Sequence, residues 1–185
     1  MITVHSIDNA SPALADLAKK IKPQRLVPII GPRLREVTRK HLYSNGKNKM
    51  GWPSTGFWED AARGSTWTAN ANSVAIVIHK VGVRQRFYGG PIKPTRTKAL
   101  TIPVCAEAYG HTAAEFPEMV IITVHGKSYL ALKSPTETHS PAANGLKLMF
   151  LLSPGVDQAP DPTVIPSSES FAATAHAALL EAIHD

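Results

Sequence analysis

A chain of 185 residues with 43% apolar content is long enough for one domain with an appendage and rich enough to bury a core. Its one cysteine, Cys105, excludes an internal disulfide framework and any multi-cysteine zinc site. The longest apolar runs, such as "LKLMFLL", fall far short of the roughly 18 residues of a membrane helix, and the net charge is +6. The opening residues lack the order of a signal peptide, so a soluble product of cytoplasmic synthesis with no membrane partner is expected.

In chain order, "SPALADLAKKIK" reads as a short helix: Ser11 can cap it, Pro12 suits the first helical position, and Leu14, Leu17 and Ile21 fall at helical spacing. A longer helix follows through Leu26, Ile30, Leu34, Val37 and His41, with Arg25, Arg33, Arg35, Arg39 and Lys40 mostly off the apolar stripe. Pro32 lacks an amide donor, which predicts a kink or a break near Gly31. The helix must stop near "YSNGKNKMG", a basic loop carrying Lys47 and Lys49 and no acid. Ser54 or Thr55 can cap a two-turn helix through Phe57, Trp58 and Ala61, whose first turn holds Glu59 and Asp60. Trp52, Trp58 and Trp67 read better as core or subunit-contact residues than as a base-stacking platform.

"NSVAIVIHK" and "KALTIPV" read as strands, "MVIITVHGKSYLALK" as a hairpin turning at His125-Gly126-Lys127, and "LKLMFLLS" as a fifth strand. The segment "SPGVDQAPDPTVIP" is proline-rich, and "SSESFAATAHAALLEAIHD" is a helix capped by Ser167. The expected fold is α+β: a largely antiparallel β-sheet packed by a long N-terminal helix and a C-terminal helix. The expected organisation is a core domain over residues 1–152, an arm or tether over 153–166, and the terminal helix over 167–185.

Charge is unevenly spread along the chain. Residues 1–106 hold 17 Lys and Arg against 5 acids, for +12, whereas residues 107–185 hold 3 against 9, for −6. Such a basic half is solvated, or it faces nucleic acid, or it faces the acidic portion of a neighbouring copy. Its densest part is "RQRFYGGPIKPTRTK", where Arg84, Arg86, Lys93, Arg96 and Lys98 interleave with Phe87 and Tyr88, and no acid occurs between Asp60 and Glu107. Gly89-Gly90-Pro91 predicts a turn and Pro94 an extended chain, so the block reads as an arginine-rich loop feeding the strand Ala99 to Ile102. Pro103 ends that strand or leaves it at a sheet edge. Arg84, Arg86, Tyr88, Lys93, Arg96 and Lys98, together with Lys47 and Lys49, are the candidate contacts with phosphate or with an acidic protein.

Catalytic signatures are absent from the sequence: no HExxH, GxSxG, P-loop or dinucleotide pattern occurs, and no cofactor is expected. His111 and Glu115 are four apart, one pair where a metal needs three or four ligands. His176 and His184 lie over two helical turns apart, roughly 12 Å, too far for one ion.

The series "GFWEDAARGSTW" and then "GVRQRFYGGPIKPTRTKALTIPVCAEAYGHTAAEF" resembles the virion morphogenesis family of Mu-like tailed phages and prophages, whose members are tail-completion or head-tail joining proteins. The likeness covers roughly residues 24–116 and rests on the order of its pieces: Phe-Trp before Ala-Ala-Arg, Arg-Gln-Arg, Gly-Gly-x-Ile-x-Pro, Lys-Ala-Leu-x-Ile-Pro, and Ala-Tyr-Gly. The resemblance implies a non-enzymatic structural protein of the phage tail or neck that joins the tail to the head-side connector as a homo-oligomeric ring. A hexamer follows by analogy with tail symmetry. Implied partners are further copies of itself, the tail tube or terminator, the connector, and packaged DNA without sequence preference. The competing reading is a DNA-binding module outside any virion, which the absence of a helix-turn-helix signature disfavours.

Overall fold

The computed structural model describes residues 10–46, 50–71, 73–133 and 145–184. It is an α+β structure with helices near both ends and strand pairs that are all antiparallel. The chain forms two compact units where one core domain with a tether was expected: Met1–Asn45, Trp58–Val83 and Thr163–Asp185 make the first, Gly46–Phe57 and Arg84–Pro162 the second.

In the first unit, α1 (Ala10–Lys20) leads into α2 (Pro23–Ser44). Pro23 opens α2 because the first helical amides have no intrahelical acceptor to lose. Of the kink or break expected near Gly31, the break does not occur: α2 is helical through both Pro28 and Pro32. The ladder bonds those prolines remove are compensated from outside, because α5 (Ser168–His184) and the ribbon of β1 (Ser65–Ala69) and β2 (Val74–Ile78) pack along α2. Gly31 is buried under the Trp67 ring, so a side chain is excluded there. Arg35 Nε donates to Ser65 O at 2.8 Å, and buried Ser65 donates from Oγ to Ala62 O at 2.7 Å. The helix stops before Asn45-Gly46, as the breaker signal requires. Asn45 Nδ2 then donates to Val164 O at 3.0 Å, and His41 Nε2 lies 2.8 Å from Thr163 O.

The expected Phe-Trp helix is α3 (Phe57–Arg63), with Glu59 and Asp60 in its first turn. Ser54 Oγ accepts from Gly56 N at 3.2 Å, ahead of that helix. Asp60 accepts from Arg63 at 2.5 Å and Lys80 at 2.9 Å, and these two cations hold its carboxyl below the usual range.

The second unit is built on a four-stranded sheet of order β4-β7-β6-β5: β4 (Leu100–Pro103), β5 (Val120–Val124), β6 (Lys127–Lys133) and β7 (Leu146–Ser153). Here the strand readings hold. His125 (φ 49°) and Gly126 (φ 74°) form the two-residue hairpin turn between β5 and β6. Pro103 ends β4, and β4 is an edge strand. Central β7 supplies Met149 and Phe150 to a core with Ala108, against which Cys105, Phe116, Leu130 and Leu132 pack. Among the described residues, three sheets stand where the sequence reading expected one. β1 and β2 form their own ribbon, and β3 (Gly90–Ile92) pairs with β8 (Val156–Gln158) in another.

That last ribbon corrects the reading of residues 153–166 as an arm or tether. Val156–Gln158 is strand-paired, and Val164 in the 3₁₀ turn Pro162–Val164 is buried. Proline content signalled a free segment because prolines cannot extend a regular ladder, yet a three-residue pairing needs few donors.

Candidate functional site

The basic block is not the single loop that its glycines and prolines suggested. Its first part is α4 (Val83–Tyr88), and Gly90–Ile92 is β3. Gly89 joins them: its N–H donates to Gln85 O at 2.8 Å, and the Gln85 amide donates to the carbonyls of Gly89 and Gly90, each at 3.0 Å. Gly89 has φ 68°, and a Cβ there would stand 2.5 Å from Gln158 O and 2.6 Å from Pro160 N. Only glycine satisfies both that conformation and that approach. Asp161 N donates to Arg86 O at 3.0 Å, so β8 and the residues after it hold the first part of the block, at Arg86 and over Gly90–Ile92.

Within this frame the six described candidates separate into two kinds. Arg86 is half-buried, with its guanidinium 4.8 Å from the centroid of the Phe57 ring; it is a packing residue. Arg84, Tyr88, Lys93, Arg96 and Lys98 are exposed. Arg84 lies 5.9 Å from the Tyr88 ring centroid, and Tyr88 meets Phe87 edge-on at 4.8 Å. Among the described residues, Arg84, Lys93, Arg96 and Lys98 form no ion pair with an acid. Lys47 and Lys49 lie outside the described residues.

Two acids of the same unit, Glu107 and Glu115, are engaged by other partners, whereas Asp157 of β8, paired in register with Pro91, is exposed. Glu107 accepts from Lys147 at 2.8 Å, and that cation holds its carboxyl below the usual range. Glu115 accepts from His111 Nδ1 at 2.7 Å and, through Oε1, from the Thr112 N–H at 2.7 Å and hydroxyl at 2.8 Å. The His111 bond first, then the Thr112 bonds, pull the Glu115 carboxyl down to about 2. The pair His111/Glu115 is thus a hydrogen-bonded pair beside the capping box of the 3₁₀ turn Ala113–Glu115. Among the described residues no group of three or more His, Cys, Asp or Glu side chains is placed to hold a metal. A cavity of about 490 Å³ bordered by Ser54, Thr55, Glu107, Tyr109 and His111 adds no unpaired acid, since Glu107 is the Lys147 partner.

The charge asymmetry along the chain does not survive folding. The first unit carries 10 Lys and Arg against 8 acids in its sequence, the second 10 against 6, so net charges of +2 and +4 replace +12 and −6. The acidic C-terminal helix is one reason. Glu181 of α5 accepts from Arg33 of α2 at 2.6 Å, inside one unit. What remains for a partner is local in the chain: four exposed cations within residues 84–98, without an ion-pair partner among the described residues, with Arg84 against exposed Tyr88.

Cys105 is half-buried against Met149, its Sγ 3.6 Å from the thioether sulfur, and burial pushes its thiol pKa up, as suits a packing residue. Trp52 packs on Tyr109 with centroids 5.3 Å apart, while Trp67 covers Gly31, so these two rings are occupied by packing. Gln85, Gly89 and Phe57 are the site residues that sequence reasoning missed. The Gln85-to-Gly89 spacing of one helical turn was the available signal. No helix among the described residues is long and apolar enough to cross a membrane.

No family model, no curated protein and no solved structure matches this chain.

Proposed function

We propose that this chain is a structural, non-catalytic virion protein of a tailed phage, acting in tail completion or at the neck, and assembling as a ring that joins the tail to the head-side connector. The observation that carries the proposal is the set of exposed cations Arg84, Lys93, Arg96 and Lys98, without an ion-pair partner among the described residues, flanking the β3 strand of the β3–β8 ribbon in the chain, with Arg84 against Tyr88. The ordered residue series over 24–116 supports the assignment to the tail or neck of a tailed phage. Exposed cations without an acid partner attract acidic protein or phosphate, and Arg and Lys act on phosphate without reading bases. Repeated around a ring, the same surface lines a channel that holds DNA by its phosphates, irrespective of sequence.

The test is particle assembly with Arg84→Glu, Lys93→Glu, Arg96→Glu and Lys98→Glu combined. The folded variant is expected to be missing from particles and to leave tails unjoined. Normal infectious yield from a phage carrying it overturns the proposal. Tight duplex binding by the isolated wild-type monomer, with no entry into tails or connectors, favours the DNA-binding module instead. For that module, four phosphate contacts predict a slope of about −3.6 in log K against log salt.

A further inference from the structure

The cavity of about 490 Å³ in the second unit has walls that the fold fixes in advance. One wall runs from Ala106 to His111. It is held by fully buried Ala108 and by two turn bonds, Tyr109 N to Ala106 O and His111 N to Ala108 O, each at 3.2 Å. Pro53 and Thr55 belong to the other wall, and the two meet at Gly110, where φ is 86° and a Cβ would lie 3.1 Å from the Thr55 methyl carbon. His111 is placed twice over: Phe116 meets its ring at 5.9 Å, close to edge-on, and its Nδ1 lies 2.7 Å from Glu115 Oε2. Ionised Glu115 can only accept, so Nδ1 carries the proton and the neutral ring keeps Nε2 as an acceptor.

Among the described residues, the hydroxyls of Thr55 and Tyr109 and Nε2 of His111 have no hydrogen-bond partner. Glu107, the acid on the wall, is already matched by Lys147 at 2.8 Å. An ionic ligand would therefore give up hydration for no unmatched charge, and a purely apolar one would strip water from three polar groups without replacing it. What fits is a neutral molecule with hydroxyls on one side and carbon on the other, the second facing Pro53, Ala106 and the Tyr109 ring. We propose that this cavity binds a pyranose unit of a neutral saccharide, whose hydroxyls bond to Thr55, Tyr109 and His111. The volume lies within the range of about 300–1,000 Å³ of small-molecule sites. The His111 side chain is 53% exposed, so the site is open and further sugar units can extend into solvent. Three hydrogen bonds in an open site give a weak Kd, on the order of 1 mM. Binding of sugar does not rest on the assembly reading: a chain that joins no tail can still bind, and a ring can form without it.

The experiment titrates maltotriose and cellotriose, separately and to about 20 mM, into the isotope-labelled full chain and follows backbone amide shifts by NMR. Saturable shifts with at least one of them, centred on residues 53–55 and 106–111, are expected. Gluconate and cyclohexanol, the anionic and apolar counterparts, should leave those amides in place. Thr55→Val and Tyr109→Phe each remove one hydroxyl with little change of shape, so each should raise Kd several-fold while the melting temperature stays at the wild-type value. The proposal is overturned by the absence of saturable shifts with both sugars, by variants that bind as tightly as wild type, or by cyclohexanol or gluconate shifting the same amides as strongly.

Discussion

Gly31→Ala reverses the usual sign of a glycine-to-alanine change in a helix. In an open helix interior the substitution stabilises by about 0.5–1 kcal/mol, because alanine loses less backbone entropy. At Gly31 the added Cβ would lie 2.7 Å from both Cδ2 and Cζ3 of Trp67, and closer still to Cε3. Carbon atoms prefer roughly 3.5–4.0 Å, so the indole or α2 must give by about 1 Å. Overpacking costs roughly 1–3 kcal/mol, and an approach this close belongs to the upper part, about 2–3, which against a helical gain of about 1 leaves a net loss of about 1–2 kcal/mol. For a chain of this size that is a fall of roughly 2–8 °C in Tm. Thermal unfolding followed by circular dichroism reads the shift. Adding Trp67→Leu to Gly31→Ala should make the double variant less destabilised than the sum of the two single changes, since removing the ring removes the collision. A Gly31→Ala protein as stable as wild type refutes the packing of β1 against α2.

Gly89→Ala combines an unfavourable φ of 68° with a Cβ 2.5 Å from Gln158 O, and should lower stability by roughly 2–4 kcal/mol, read by urea unfolding. Arg86→Ala should destabilise by about 1 kcal/mol through loss of its packing on Phe57, whereas exposed Arg84→Ala should leave the Tm unchanged and weaken only partner binding. The Glu115 carboxyl, held down to about 2 by His111 and Thr112, should titrate there by NMR, with a midpoint that rises in His111→Ala. Since its native pKa is depressed from 4.5, the stabilisation it gives is present above about pH 4.5 and is lost as pH falls from there towards 2.

The elements that were legible in the sequence are those whose stability is written locally. Strand β7 is a continuous apolar run, the β5–β6 hairpin announces itself through Gly126, and α3 and α5 carry acids in their first turns. The elements that were missed depend on distant partners. Strand β3 is three residues long and exists because Gly90 meets Gln158; neither segment has a strand pattern of its own. Strand β1, "STWTA", is too polar to stand out, and it forms because Trp67 lies over Gly31 while Arg35 holds Ser65. Pro32 stays helical because neighbouring elements outweigh its missing bond. The site was half legible for the same reason. Composition marks the cations, but the burial of Arg86 depends on Phe57, and the loss of the charge asymmetry depends on Arg33 meeting Glu181.

Ring assembly at the tail is the central claim, and the mass of the purified protein by light scattering, alone and then with tail tubes or connector, tests it most directly. Stoichiometric incorporation as a closed ring is expected, lost in the variant with all four cations reversed. A monomer that joins neither tail tube nor connector contradicts it.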